Sequence, residues 1–140
     1  MKKIILSLIM FVAVAASVPA QTVTSNFLSA SGLTYGTVTN TGTDSVKIVC
    51  NQSYKNISLL PKVTKISGTM TSNSTPQLYG SLDGSRYTAI TGDTLHITNT
   101  STPLYTSWLL SSQQYKYYKV VWTGVGTMSA KLECLFIGIK

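Results

Sequence analysis

The stretch YKYYKVVWTGVGTMSAKLECLFIGIK, residues 115–140, constrains the fold more than any other part of the chain. β-Branched and aromatic residues alternate with polar ones on both sides of Gly124 and Gly126. This predicts strands over residues 117–123 and 127–139, joined as a hairpin by a tight turn at Gly124, Val125 and Gly126. In the second strand Met128, Ala130, Leu132, Cys134 and Phe136 share one face, and Thr127, Ser129, Lys131 and Glu133 share the other. That period of two marks a strand with one dry and one wet side. A hairpin dry on one side must cover a second layer.

The rest of the chain supplies that layer. Strand patterns are read over residues 33–38, 45–50, 57–60, 62–70, 77–82, 86–90, 94–98 and 105–110. Asn40, Gly42 and Asp44 mark one turn, and Asp83-Gly84 marks a hairpin. Pro61 is expected to end a strand, because it cannot donate to a ladder. Val63, Ile66 and Met70 are the expected inward contacts of the strand that follows. Leu78, Gly80 and Leu82 are expected to face away from Gln77, Tyr79 and Ser81. Outside the N-terminal segment, apolar residues never recur at helical spacing. About eight or nine short strands with frequent turn signals predict an all-β fold, a single antiparallel β-sandwich or jelly roll.

Residues 1–20 read as a cleaved signal peptide and residues 21–140 as the sandwich domain. Lys2 and Lys3 precede an apolar run that is too short for a spanning helix, and Val18 and Ala20 place small residues before a cut ahead of Gln21. The expected location is therefore exported: periplasm, cell surface or extracellular, with no stable membrane span after cleavage. Residues 21–31 read as a flexible lead-in. Loss of Lys2 and Lys3 takes the formal charge from +7 to +5, spread over scattered lysines with Arg86 the one arginine. That is a poor inventory for nucleic acid. Cys50 and Cys134 are the two cysteines, each on the predicted dry face of its strand. An oxidising compartment makes a bridge between them the expectation, worth on the order of 4 kcal/mol for a loop of about 85 residues; the alternative is a pair of buried thiols.

Catalytic chemistry finds little to work with. Asp44, Asp83 and Asp93 sit in turn contexts and Glu133 on a wet strand face, so no local carboxylate pair is offered to a glycosidase. His96 is the sole histidine and alternates with Leu95 and Ile97, so it faces outward. Neither a zinc site nor a serine triad assembles from this inventory. Without an Asp-x-Asp run, calcium has no concentrated carboxylate site. The chain is read as no enzyme, with no cofactor and no metal. The aromatic residues of the last third are more informative: Trp108, Tyr115, Tyr118 and Trp122 are the candidate contacts to a ligand or partner, competing with core filling.

The segments GSLDGSRYTAI, from Gly80, and YYKVVWTGVGTMSAKLECLF, from Tyr117, resemble small β-sandwich proteins of tailed bacteriophages and their bacterial hosts, in which an S-x-DG-x-x-Y hairpin precedes a Y-Y-[KR]-V strand. They resemble discoidin-type sandwiches more distantly. The resemblance implies a virion, fibre, tail or surface-adhesion role without catalysis. The leading expectation is thus an exported structural or adhesion protein, virion-associated or on a cell surface, that self-assembles or joins other structural subunits through open sheet edges. The alternative is a carbohydrate-binding module that meets a glycan with exposed Tyr and Trp.

Overall fold

The computed structural model describes residues 27–29, 34–71, 75–90 and 95–139. The signal peptide expected at residues 1–20 lies outside them. Ten strands follow in order: β1 Phe27–Ser29, β2 Gly36–Thr39, β3 Thr43–Val49, β4 Asn56–Gly68, β5 Gln77–Ser81, β6 Thr88–Ile90, β7 Leu104–Tyr105, β8 Trp108–Leu110, β9 Tyr117–Thr123 and β10 Met128–Ile139. They form two antiparallel sheets, the β-sandwich that the alternation requires. One sheet runs β1-β3-β9-β5-β6, and the other runs β2-β10-β4, with β7 and β8 both laid along the free side of β4. No helix among the described residues is long and apolar enough to cross a membrane.

The expected hairpin of β9 and β10 is not formed. β9 lies between β3 and β5, whereas β10 lies between β2 and β4 in the facing sheet. Their inner faces bury against one another. Tyr118, Val120 and Trp122 of β9 and Ala130, Leu132 and Phe136 of β10 are all fully buried. The glycine-rich link between them is a corner that changes sheets, and it is pinned to a second such corner. Asn40 N–H donates to the Met128 carbonyl (2.7 Å) and Gly124 N–H to the Gly42 carbonyl (2.9 Å), which ties this link to the β2–β3 turn, where the chain also changes sheets. Asn40 has φ of 52° and Gly126 has φ of 86°. Left-handed backbone of this kind suits asparagine and glycine.

Pro61 does not end a strand either, because β4 runs through it for 13 residues. Its position explains why. In an antiparallel strand the N–H and C=O of one residue point to the same neighbour. The Pro61 carbonyl accepts from Thr106 N–H (3.4 Å), so the missing donor faces the gap between β7 and β8. The proline interrupts the short edge pieces and leaves the β4–β10 ladder whole, which is why residues 105–110 form two fragments.

Four further expectations give way to tertiary detail. Ile66 is 61% exposed. It is the extra residue of a bulge, since Ser129 opposes Ser67 while Ala130 opposes Lys65. Leu82 is 72% exposed because the chain leaves β5 at Ser81, and the hairpin loop spans residues 82–87 instead of a two-residue turn. Residues 95–98 form no strand, although Leu95 and Ile97 are buried and His96 is exposed as the alternation predicts. The lead-in expected over residues 21–31 contains β1, which pairs with β3.

Cys50 and Cys134 are both buried and both free thiols, so the expected bridge is not formed. Cys50 follows β3 and Cys134 lies within β10, in opposite sheets. The Cys134 thiol donates along its own strand to the Leu135 carbonyl (3.7 Å). Both pack as small apolar groups. Burial pushes the Cys50 thiol up to about 11, and burial, opposed by a hydrogen bond with the Leu60 backbone, pushes Cys134 up to about 12.

Candidate ligand-binding face

The four aromatic candidates divide sharply. Trp108 is 4% exposed, and Tyr118 and Trp122 are wholly buried, so these three fill the core and present no ring to a ligand. Each lies on the inward phase of its strand, where a large apolar surface is worth more inside than out. Tyr115 alone reaches the surface. Its ring packs against Gly80 and meets Tyr118 edge-on (centroids 6.0 Å, 90°). It also lines two shallow hollows. One, of about 200 Å³, is shared with Ser111, Ser112, Gln114 and Tyr118. The other, of about 290 Å³, is shared with Ser81, Asp83, Arg86 and Thr88. The Tyr118 hydroxyl makes no well-aligned hydrogen bond. Burial raises its pKa, while the approaching amides of Tyr115 and Gln114 pull the other way.

The alternation that sends Tyr118 inward sends Tyr117, Lys119 and Val121 outward on β9. Cross-strand register extends that outer face. Lys119 stands between Lys47 of β3 and Tyr79 of β5, and Tyr79 is followed by Ala89 of β6. Tyr87, just before β6, completes the group. The Lys119 ammonium lies over the Tyr87 ring at 4.2 Å and over the Tyr79 ring at 5.8 Å; Lys116 lies over Tyr117 at 5.4 Å. Two half-buried tyrosines, Tyr79 and Tyr87, thus flank the Lys119 amine, and a third, Tyr117, flanks the neighbouring amine of Lys116. Each such contact contributes roughly 0.5–1 kcal/mol at an exposed site and holds the rings in place.

The β5–β6 hairpin walls one side of this face, and Asp83 organises it. Its Oδ1 accepts from the Ser81 hydroxyl (3.0 Å) and from the amides of Ser85 and Arg86 (2.8 Å each), while Oδ2 accepts from Arg86 Nε (2.9 Å). The Arg86 amide, the Ser85 amide, the Arg86 side chain and Ser81, in that order, hold this carboxyl far below the usual range. Turn closure is what the aspartate does here. Gly84, at φ of 76°, lets the loop fold down so that the Tyr117 ring lies beneath it. Burial raises the Tyr87 hydroxyl, with Tyr117 and Asp83 adding to the effect.

Among the described residues no three of His, Cys, Asp and Glu gather in a way that could hold a metal ion. Asp44 accepts from the amides of Thr37 (2.8 Å) and Ser45 (2.7 Å), and Glu133 pairs with Lys131 (2.8 Å) and Lys62 (3.4 Å). Asp93 lies outside the described residues.

Tyr79, Tyr87, Tyr117 and Lys119 were not among the sequence candidates. The signal was present in the period-two pattern of β9. What it lacked was the register that lays β5 and β3 beside it.

No family model matches the chain, and no curated protein matches it. Solved structures with similar folds include carbohydrate-binding modules and a phage tailspike. A CBM32 module of Clostridium perfringens, solved in complex with GalNAc-β-1,3-galactose, is 15% identical with a TM-score of 0.48, over 71% of this chain and 68% of that one. The CBM22-1 xylan-binding domain of Paenibacillus barcinonensis Xyn10C is 10% identical with a TM-score of 0.49, over 86% and 98%. Tailspike protein 4 of bacteriophage CBA120 is 9% identical with a TM-score of 0.48, over 85% of this chain but 19% of the tailspike.

Proposed function

We propose that the chain is a non-enzymatic carbohydrate-binding module, exported by residues 1–20, that meets its glycan on the outer face of β3, β9 and β5. The observation that carries this reading is the group formed by Tyr79 and Tyr87 at Lys119, with Tyr117 at Lys116 beside it. An aromatic ring offers a flat apolar surface to the C–H face of a pyranose, and an ammonium donates to ring hydroxyls. The rings are held by the cation and the hairpin before any ligand arrives, so little ordering entropy opposes binding. A shallow, open face suits a polymer that lies across it.

The assembling structural component, expected first from the sequence, leaned on open sheet edges. Those edges are short: β1 and β6 have three residues each, β2 has four, and β7 and β8 have two and three. Short edge strands are poor templates for pairing with another chain. A glycan array with the exported protein and Tyr87→Ala tests the proposal. Glycan binding by the wild type that is lost in the variant supports it; a folded wild type silent across the array refutes it.

A further inference from the structure

Lys47 and Lys119 stand directly opposite one another on neighbouring antiparallel strands, on the same outer face. Directly opposed side chains in such a ladder have Cβ atoms about 4.5–5.5 Å apart, and like charges there destabilise the pair. Among the described residues no carboxylate on this face relieves it. Of the described carboxylates, Glu133 belongs to the other sheet, Asp44 is engaged by the Thr37 and Ser45 amides, and Asp83 is held by Arg86. Lys116 adds a third amine beside Tyr117. A sequence that otherwise obeys sheet rules has stacked positive charge where a ring platform waits, and such local conflicts mark functional sites.

We infer that the proposed glycan face takes an acidic polysaccharide, one carrying uronate carboxylates, whose anions bridge Lys47 and Lys119 while its sugar rings stack on Tyr79 and Tyr87. This rests on the carbohydrate-binding reading and narrows it. One anion between the two amines turns a repulsion into two charge-assisted hydrogen bonds. Nucleic acid fits the face less well. The lone arginine of the chain, Arg86, is bound to Asp83, and Lys116 and Lys119 lie over rings instead of joining Lys47 in a tract that follows a phosphate backbone.

The test compares polygalacturonate with its fully methyl-esterified form, which keeps the sugars and removes the charge. Affinity is measured by titration calorimetry at low and high salt, with single-stranded DNA as a competitor. The inference expects the acid to bind at least about tenfold more tightly than the ester, a ratio equivalent to about 1.4 kcal/mol. The ratio should collapse at high salt and shrink in Lys47→Gln and Lys119→Gln, both checked for an unchanged thermal melt. Equal or tighter binding of the ester overturns the inference and leaves the carbohydrate-binding reading standing. No binding of either polymer, together with a silent glycan array, overturns both. Displacement of the acid by DNA at equal concentration overturns the inference by showing that charge alone is read.

Discussion

The Tyr115 ring packs so closely against Gly80 that a methyl group at that position would overlap the ring. The contact couples the loop before β9 to the centre of β5. Gly80→Ala should therefore destabilise by overpacking, by about 1–3 kcal/mol in urea unfolding. Tyr115→Ala in the same background should recover part of that loss, and the double-mutant cycle measures the coupling. Strict additivity of the two changes would show that the ring and the glycine do not touch.

Trp122 of the central strand β9 and Tyr87, just before the edge strand β6, are both aromatic residues of the first sheet, yet they should respond in opposite ways. Trp122 is wholly buried, so Trp122→Ala should cost about 3–5 kcal/mol. Tyr87→Ala removes a partly open ring and a cation contact, so its stability cost should stay below about 1 kcal/mol while glycan binding is lost. Thermal melts beside array binding separate the two; a Tyr87 variant that unfolds, or one that binds normally, contradicts the assignment.

Alkaline pH should weaken the fold through the buried thiols. Cys134 is raised from an ordinary value of 9.0 to about 12 and Cys50 to about 11. A group whose folded pKa is raised contributes stability that is complete below the unfolded value and is lost as pH rises through the folded one. Stability should fall between pH 9 and pH 12, and Cys134→Ala should flatten that limb after allowance for its own cavity. Chemical denaturation at stepped pH measures the slope; an unchanged slope in the variant would assign the alkaline loss to the tyrosines.

The acid limb carries a smaller effect of opposite sense. Burial alone would raise the Glu133 carboxyl, but the hydrogen bond and charge of Lys131, helped by Lys62, outweigh it and hold the group below 4.5. A depressed carboxylate contributes stability above its unfolded value and loses it as pH falls through the folded one. Both ion pairs are partly solvated, so Glu133→Gln should cost less than about 1 kcal/mol at neutral pH and nothing once the pH is well below the folded value. A constant cost at every pH would mean that packing, and not charge, had been removed.

Much of the fold was legible because a strand writes its two faces into alternate residues. The dry side of β10, the inward Val46 and Ile48 and the buried Leu95 and Ile97 around exposed His96 all follow from period two. Ile66 and Leu82 escaped the pattern where a bulge or the end of a strand shifted the phase by one residue. The candidate face was half legible. Alternation on β9 separates Tyr117 from Tyr118 without saying which is inside until Val120 and Trp122 are placed with Tyr118 in the core.

By itself the sequence determined an all-β chain of short strands and the inward residues of its long ones, because side-chain alternation is a local property of extended backbone. Only the tertiary structure decided which strands lie side by side. It moved β9 and β10 into facing sheets, since two fully dry faces bury more apolar surface against each other than within one hairpin. It also carried β4 through Pro61, because the missing donor falls at an edge, and it gathered Tyr79, Tyr87 and Lys119 from three separate stretches of chain. Register between distant strands is set by the summed packing of the whole core, and no short stretch of residues contains it.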